Sequence, residues 1–580
     1  MSLNSSKPIT ITAILALFFT LALSFSVDLD QSLTYLWPLP AQFTSGNDTL
    51  SVDPDLSLSV SGNGGRSRIV KEAFDRYKAI IFKQSSSRAA SVYIKNVFRG
   101  MRSGYDITKL SITVNSDNEE LQLGVDESYS LFVAKNNGQS IIGEATIEAN
   151  TVYGALRGLE TFSQLCSFDF ETKSVQVYKA PWYIQDEPRF AFRGLMLDTS
   201  RHYLPVDVIK EIIESMSYAK LNVLHWHILD EQSFPLEVPS YPKLWQGAYT
   251  KWERYTVDDA NEIVSFAKTR GALYLNVSKL PLGFKCFYLF SSFYLFITLH
   301  VFLAGINVMA EVDVPGHAES WGAGYPDLWP SPTCKEPLDV AKNFTFDVIS
   351  GILADMRKIF PFELFHLGGD EVNTDCWNST PHVKQWLQDH NMTTKEAYQY
   401  FVLKAQEIAI SKNWTPVNWE ETFNTFATKL NPQTVVHNWL GPGVCPKAVA
   451  KGFKCIYSNQ GVWYLDHLDV PWNNTYAAEP LEGIDEASQQ ELVIGGEVCM
   501  WGETADASNV QQTIWPRAAA AAERLWSRRE AISTGNITLT ALPRFHYFRC
   551  LLNRRGVQAA PVTNFYARQP PTGAGSCYAQ

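Results

Sequence analysis

Residues 364–371 read Leu-Phe-His-Leu-Gly-Gly-Asp-Glu, a short apolar run that ends in two glycines and two adjacent carboxylates. Successive side chains of a strand point to opposite faces, so Asp370 and Glu371 cannot act as a pair on one atom. One carboxyl group can protonate a leaving group while the other holds a neighbouring part of a substrate. The alternative is an ordinary acidic loop after a strand; the two glycines, which allow close backbone approach, favour a binding site.

Similar apolar runs lie on both sides of this one, with helical stretches such as 206–219, 257–269, 346–359 and 395–412 between them. Eight strand-plus-helix units predict an α/β protein with a (β/α)8 TIM barrel over residues 188–580. In such a barrel the chemistry lies at the carboxyl ends of the strands. The predicted strands are Phe192–Leu197, Val223–Leu229, Ile306–Val312, Leu364–Gly369, Thr415–Trp419, Thr434–Trp439, Cys455–Ser458 and Val493–Trp501.

Residues 30–185 alternate β-like runs with helical stretches and carry no convincing chemistry. The runs 110–114 and 128–134 predict strands, and the spacing of apolar residues within 151–165 predicts an amphipathic helix. We therefore expect a smaller noncatalytic α/β domain in front of the barrel.

The composition excludes several classes of protein. The chain has 580 residues, of which 46% are hydrophobic and 19% charged, so it is not largely disordered, collagen-like or coiled-coil. Its formal net charge is −11 and it has no run of Lys or Arg, which argues against a nucleic-acid partner and an anionic membrane surface. The 17 tryptophans suit the flat apolar faces of sugars, although most buried aromatic residues simply form core.

The amino terminus is typical of a secretory signal peptide over residues 1–26, because Lys7 precedes an apolar run and small residues follow it. A signal anchor is the alternative. Eight Asn-x-Ser/Thr sequons beyond the predicted signal peptide fit a glycosylated protein of the secretory pathway. They are Asn47, Asn276, Asn343, Asn378, Asn391, Asn413, Asn473 and Asn536.

Nine cysteines in an oxidising compartment predict a few disulfides. The pairs we expect are Cys334–Cys376 and Cys550–Cys577, with Cys445–Cys455 as a further candidate.

Residues 272–305 do not fit the barrel pattern. Within them, 286–304 is uncharged and nearly all apolar, so hydropathy makes it a candidate membrane span. A span here would replace a helix-to-strand connection that is normally about 2–6 residues long, and it would place the two parts of one domain on opposite sides of a membrane. We interpret the segment as translated non-coding sequence, such as a retained intron, and expect a membrane span only if the segment is real.

Aromatic and acidic residues follow several predicted strands. Three tryptophans at successive strand ends, with carboxylates between them and one arginine, are what a pocket for a pyranose requires. These residues are Trp419, Trp439, Tyr464, Asp466, Trp501 and Glu503, together with Arg193, which opens the first strand.

His225 and His227 on the second predicted strand suggest a metallohydrolase as the rival enzyme. A barrel metallohydrolase would place this pair on the first strand, with more histidines downstream. We therefore expect packed, hydrogen-bonded histidines and no metal.

Residues 193–203, 366–371 and 495–503 resemble the β-N-acetylhexosaminidases of glycoside hydrolase family 20, and most of all the plant vacuolar enzymes of that family. The resemblance runs from about residue 36 to 580, and the insert is its single departure. It implies exo-acting release of terminal GlcNAc or GalNAc from N-glycans and chito-oligosaccharides, with no cofactor. It also implies an acidic pH optimum, a homodimer, and a location in the vacuole or, alternatively, the apoplast.

The resemblance implies a retaining mechanism in which the substrate's acetamide oxygen, and no enzyme nucleophile, attacks the anomeric carbon. Glu371 matches the general acid/base, and Asp370 matches the carboxylate that orients the acetamide. The other implied roles are an acetamide contact for Tyr464, a pocket wall of Trp419, Trp439 and Trp501, hydroxyl contacts for Arg193, Asp466 and Glu503, and support of Glu371 by Asp230 and His317. An inactive sugar-binding member, or a misfolded product of splicing, is the remaining alternative.

Overall fold

The computed structural model describes residues 33–86, 104–136, 141–268, 304–533 and 535–563. The predicted signal peptide and Cys577 lie outside these residues, as does the apolar segment 286–304 except for Ala304. No helix in the described part of the chain combines the length and the apolar character that crossing a membrane requires.

The amino-terminal part contains a six-stranded mixed sheet in the order β1-β2-β4-β3-β6-β5. The predicted helix at 151–165 is observed as Val152–Leu165, and it begins where the Thr151 hydroxyl accepts a hydrogen bond from the Gly154 N–H. A second helix, Arg68–Ile81, packs beside it. The strands are β1 (Gln42–Ser61), β2 (Ile107–Val114), β3 (Tyr129–Asn136), β4 (Ile141–Ala149), β5 (Cys166–Asp169) and β6 (Ser174–Asp186).

Eight parallel strands then close into a barrel in chain order, which confirms the predicted fold class. Each observed strand overlaps its predicted run. The barrel strands are β7 (Phe192–Asp198), β8 (Val223–His227), β9 (Asn307–Glu311), β10 (Leu364–His366), β11 (Thr415–Trp419), β12 (Val435–Asn438), β13 (Lys454–Tyr457) and β14 (Val493–Met500).

Helices surround the barrel, and the four predicted ones lie within three residues of their observed bounds. In the described part of the chain, the α-helices of five or more residues after β7 are Val206–Tyr218, Val257–Lys268, Asn343–Met356, Asp375–Ser379, Pro381–Asp389, Thr394–Ser411, Glu420–Phe426, Val444–Val449, Trp472–Ala477, Val510–Ile514, Arg517–Trp526 and Leu542–Arg555.

The barrel interior is layered because alternate residues of each strand point inward. Near the amino ends of the strands the interior is apolar, with Phe192, Val223, Met309, Leu364, Val417, Val435 and Ile456 in one buried cluster. Two residues further along the strands the interior is polar, with buried His225, Glu311, His366, Trp419, His437 and Glu497. A polar layer therefore lies directly beneath the carboxyl ends of the strands.

The amino-terminal part is attached to the other end of the barrel through buried charges. Glu127 Oε2 accepts hydrogen bonds from Arg157 Nε at 2.7 Å and from Arg193 Nη2 at 2.6 Å. Lys220 Nζ donates to Asp186 Oδ2 at 2.8 Å. These groups are almost completely buried, so removal of one partner would leave an uncompensated charge in the interior.

Two disulfides join described cysteines. Cys334–Cys376 confirms the first predicted pair, and Cys445–Cys455 confirms the further candidate. Cys550 is disulfide-bonded, but its predicted partner Cys577 lies outside the described residues.

Candidate active site

The two adjacent carboxylates follow β10 in a turn that only glycine can build. Gly368 and Gly369 have φ of 61° and 95°, and a Cβ on Gly368 would lie 1.9 Å from the Asp313 carboxyl group. The turn leaves the side chain of Asp370 10% exposed and that of Glu371 60% exposed. One carboxylate therefore lies inside the barrel mouth and the other faces its opening.

Asp370 has a buried carboxyl neighbour. Asp313, two residues beyond the end of β9, accepts a hydrogen bond from the Gly369 N–H at 2.8 Å. Burial and then the negative charge of Asp370 raise the pKa of Asp313 well above its ordinary value. Asp370 Oδ1 is itself buried without a hydrogen-bond partner among the described residues.

His317 lies between the carboxylates and the barrel interior. Its Nε2 atom is 3.7 Å from Asp370 Oδ2 and 3.7 Å from Glu371 Oε2, and its Nδ1 atom is 3.0 Å from Asp230 Oδ1. Burial alone would lower the pKa of His317, but Asp313, Asp370 and Asp230 outweigh it and raise the pKa to about 11. Asp230 and His317 are thus brought together behind Glu371, where the resemblance expects them.

Aromatic rings line one side of the barrel mouth. The Tyr464 ring lies between Trp439, stacked at 6.2 Å between centroids, and Trp501 at 6.0 Å. Trp439 Nε1 donates to Glu421, and burial followed by the charge of Asp370 raises the pKa of Glu421 to about 8. Trp419 is only 1% exposed and lies beneath this wall, 6.2 Å from Trp501.

Arg201 contributes a guanidinium cation to the site. It follows β7 and is only 10% exposed at its side chain. Its guanidinium lies 5.0 Å over the Trp501 ring, donates to Asp198 Oδ2 at 3.1 Å, and lies 2.8 Å from Asp230 Oδ2. The Glu503 carboxylate, 56% exposed, is 4.0 Å away at the rim.

The prediction that Arg193 holds substrate hydroxyls is wrong. Arg193 is the second residue of β7 and lies at the amino end of the barrel, about 16 Å along the strand from Asp198 at roughly 3.3 Å per residue. Its guanidinium is fully buried and donates to Glu127 and to backbone oxygens of Phe190 and Lys220. Arg193 therefore joins the two parts of the chain and does not face the site.

Asp466 comes after the helix Gln460–Trp463, which follows β13. Its side chain is 18% exposed, and its buried Oδ1 has no hydrogen-bond partner in the described part of the chain. Burial raises the pKa of Asp466. Like Asp370 Oδ1, this oxygen is an acceptor available to a ligand.

The two histidines of β8 are paired with carboxylates. His225 lies 2.8 Å from Glu497 and 3.0 Å from Glu311, and His227 lies 2.6 Å from Glu311 and 2.7 Å from Asp230. Both ring nitrogens of each residue therefore face an acidic oxygen. His227 is hydrogen-bonded through both nitrogens, whereas His225 is hydrogen-bonded through Nδ1 to Glu497.

Sequence reasoning missed the roles of Arg201, Asp313 and Glu421. Arg201 stands within the motif 193–203, and its position three residues after the end of β7 is the signal that could have identified it, because function lies at carboxyl ends. Asp313 and Glu421 each lie two residues after a strand, β9 and β11, so the same signal applies to them, but only the fold shows that they lie beside Asp370 and Trp439.

Comparison with known families agrees with this geometry. Residues 190–275 and 297–529 match the family described as "Glycosyl hydrolase family 20, catalytic domain", and residues 36–165 match "beta-acetyl hexosaminidase like". The chain belongs to glycosyl hydrolase family 20 and is a glycoside hydrolase of the β-N-acetylhexosaminidase type. Residues 276–296 fall between the two matched parts of the catalytic domain.

Similar proteins include beta-hexosaminidase 1 of Arabidopsis thaliana, 69% identical over 570 residues, which covers 98% of this chain and 99% of that protein. Beta-hexosaminidase subunit beta of Homo sapiens is 32% identical and covers 91% of this chain and 88% of its own length. Among solved structures, a chitobiase of Flavobacterium johnsoniae superposes with a TM-score of 0.73 at 27% identity, covering 92% of this chain and 74% of that one.

Proposed function

We propose that the protein removes terminal, non-reducing GlcNAc or GalNAc residues from N-glycans and chito-oligosaccharides by substrate-assisted, retaining hydrolysis. The observation that carries the proposal is the pair of adjacent carboxylates with different exposure. Glu371 faces the opening of the barrel, while Asp370 Oδ1 is buried without a hydrogen-bond partner among the described residues. One carboxylate is thus placed for proton transfer and the other for a buried N–H donor.

In this mechanism Glu371 donates its proton to the glycosidic oxygen as the bond breaks. Asp370 accepts a hydrogen bond from the acetamide N–H, which turns the acetamide oxygen toward the anomeric carbon. The attack is intramolecular, and well-oriented intramolecular groups reach effective molarities of about 10⁵ M or more. Glu371, now ionised, then takes a proton from the water that opens the oxazolinium ring.

The pocket walls account for selectivity in this proposal. Trp439, Tyr464 and Trp501 present apolar faces to the sugar ring, and Tyr464 donates to the acetamide oxygen. Arg201, Asp466 and Glu503 bind the outer hydroxyls. Charge-assisted hydrogen bonds of this kind fix one end of a sugar, which favours exo action on a terminal residue.

Substitution of Glu371 tests the acid/base assignment. We expect Glu371→Gln to lower kcat about 10²–10⁴-fold on aryl β-GlcNAc glycosides that need a proton on the leaving group, and less on strongly activated ones. The matched control is Asp375→Asn, an exposed carboxylate four residues further on at the start of the helix Asp375–Ser379, which should keep wild-type rates. Wild-type hydrolysis of unactivated glycosides by Glu371→Gln would contradict the assignment.

A second measurement tests substrate assistance. A thiazoline analogue of the bicyclic intermediate should inhibit the wild-type enzyme more strongly than GlcNAc does, and Asp370→Asn should lose most of that preference. NMR of the fresh product should show the β-anomer first. First appearance of the α-anomer would contradict retention.

The setting of the enzyme is also part of the proposal. We place it in the secretory pathway, in the vacuole or alternatively the apoplast, as a homodimer after removal of a signal peptide. The sequons with a described Asn are exposed except Asn473, which is half-buried, and this agrees with glycosylation. Treatment with a peptide N-glycosidase and sedimentation of the secreted protein test glycosylation and dimerisation.

A further inference from the structure

Glu311, the last residue of β9, is the centre of the polar layer beneath the site. Its side chain is completely buried, and four nitrogen atoms lie within 3.0 Å of its two oxygens. Oε2 lies 2.6 Å from His227 Nδ1 and 3.0 Å from His225 Nε2. Oε1 lies 2.9 Å from His366 Nδ1 and accepts a hydrogen bond from Trp419 Nε1 at 3.0 Å.

The charge of Glu311 is fixed by these neighbours. Burial alone would raise the pKa of Glu311, but His366, His227 and His225 hold it well below the ordinary value. Burial likewise opposes the charge on the histidines, yet the acidic neighbours raise the pKa of His225 to about 9 and of His227 to about 10. Glu311 is therefore a carboxylate that compensates imidazolium charge in a water-excluded interior.

Two arms lead from Glu311 to the barrel mouth. In the first, His227 Nε2 lies 2.7 Å from Asp230 Oδ2, and Asp230 Oδ1 lies 3.0 Å from His317 Nδ1. His317 Nε2 in turn lies 3.7 Å from Glu371. The second arm is the Trp419 indole, which lies below Trp501.

We propose that Glu311 is a positioning residue for hydrolysis: it acts through His227, Asp230 and His317 on the proton transfer by Glu371, and it fixes the indole of Trp419 beneath the sugar. Glu311 touches no substrate. The proposal rests on the acid/base role proposed above for Glu371. A displacement of about 1 Å in such a supporting chain can cost a rate factor on the order of 10².

The test uses a pair of isosteric variants of the full-length, secreted protein. Glu311→Gln removes the central charge. Glu497→Gln removes a second fully buried carboxylate of the same layer, whose hydrogen bonds go to His225 and Cys499. Each variant is assayed on aryl β-GlcNAc glycosides whose leaving groups span a wide range of pKa.

We expect Glu311→Gln to lower kcat about 10²-fold on the least activated glycosides, with a loss that shrinks as the leaving group needs less protonation. Glu497→Gln should show a smaller loss that does not depend on the leaving group. Equal, leaving-group-independent losses in both variants would overturn the proposal. If Glu311→Gln yields no folded protein by circular dichroism, His227→Gln interrupts the first arm and is judged by the same criterion.

Glu371→Gln is measured in parallel. A Glu371→Gln variant that keeps wild-type rates would refute the acid assignment itself. If Glu371→Gln loses activity while Glu311→Gln and Glu497→Gln show the same loss as each other, only the role of Glu311 is refuted.

Discussion

Two arginines near β7 show how much depends on position along a strand. Arg193 and Arg201 lie eight residues apart in one motif, and both guanidinium groups are paired with carboxylates. Arg193 stands at the amino end and joins the amino-terminal part to the barrel, whereas Arg201 stands beyond the carboxyl end beside Trp501. The two residues are of the same type and belong to the same motif, and they differ in the end of β7 at which they lie.

The contrast predicts different kinetic and thermal effects. We expect Arg201→Lys to lower kcat/KM about 10-fold or more, because lysine cannot keep both the contact with Asp198 and the contact with Asp230. Arg193→Lys should lower the melting temperature and leave KM near the wild-type value. The two variants are matched controls for each other, and a raised KM in Arg193→Lys would restore the assignment that the structure corrects.

At the scale of elements, the end of the helix Val257–Lys268 and the start of β9 lie next to each other, so the insert is not needed to connect them. The Ile306 N–H donates to the Ala267 carbonyl oxygen at 3.0 Å, so the chain on either side of the insert is already adjacent. Arg157 donates to the carbonyl oxygens of Ala304 and Gly305, and Gly305 has φ of 63°. If residues 272–305 are removed, Gly271 takes the place of Gly305.

We therefore expect deletion of residues 272–305 to preserve the barrel and to increase the yield of active, secreted enzyme. The removed segment is apolar, and exposed apolar sequence promotes aggregation. Both forms should be assayed for release of a chromophore from an aryl β-GlcNAc glycoside at acidic pH. A deleted form that is secreted but inactive, beside an active full chain, would show that the segment is required. Sequencing of the transcript tests the retained-intron interpretation directly.

At the scale of the whole molecule, the buried charges favour a mildly acidic environment. The pKa values of His225, His227 and His317 are raised to about 9, 10 and 11, against about 6.5 in an unfolded chain. Their contribution to the free energy of unfolding is complete below about pH 6.5 and is lost as the pH rises toward those values. Burial is the chief cause that raises the pKa of Glu421 to about 8. Ionisation of this buried group therefore also lowers the free energy of unfolding as the pH rises.

We expect the melting temperature to be higher at pH 5 than at pH 8.5, by at least the roughly 2–4 °C that about 1 kcal/mol produces in a large domain. Glu421→Gln, which keeps the uncharged form at every pH, should make this difference smaller. Calorimetry or a dye-based melt at both pH values provides the measurement. An equal or higher melting temperature at pH 8.5 would contradict the expectation.

The sequence by itself determined the barrel, the positions of its strands and the acidic turn after β10. These features are local: apolar runs of strand length, helical spacing and a Gly-Gly-Asp-Glu turn can be read within a few residues. The family resemblance added roles for Asp230, His317 and the aromatic residues. It did not identify which arginine faces the mouth, because both lie in the same motif.

Only the tertiary structure decided which charges share an environment. Glu311 meets His225, His227, His366 and Trp419 because four strands bring inward-facing residues to one level of the barrel. Asp313 lies beside Asp370 for the same reason. Contacts of this kind join residues 50–110 positions apart, and burial then sets their charge states, so no local pattern of the sequence encodes them.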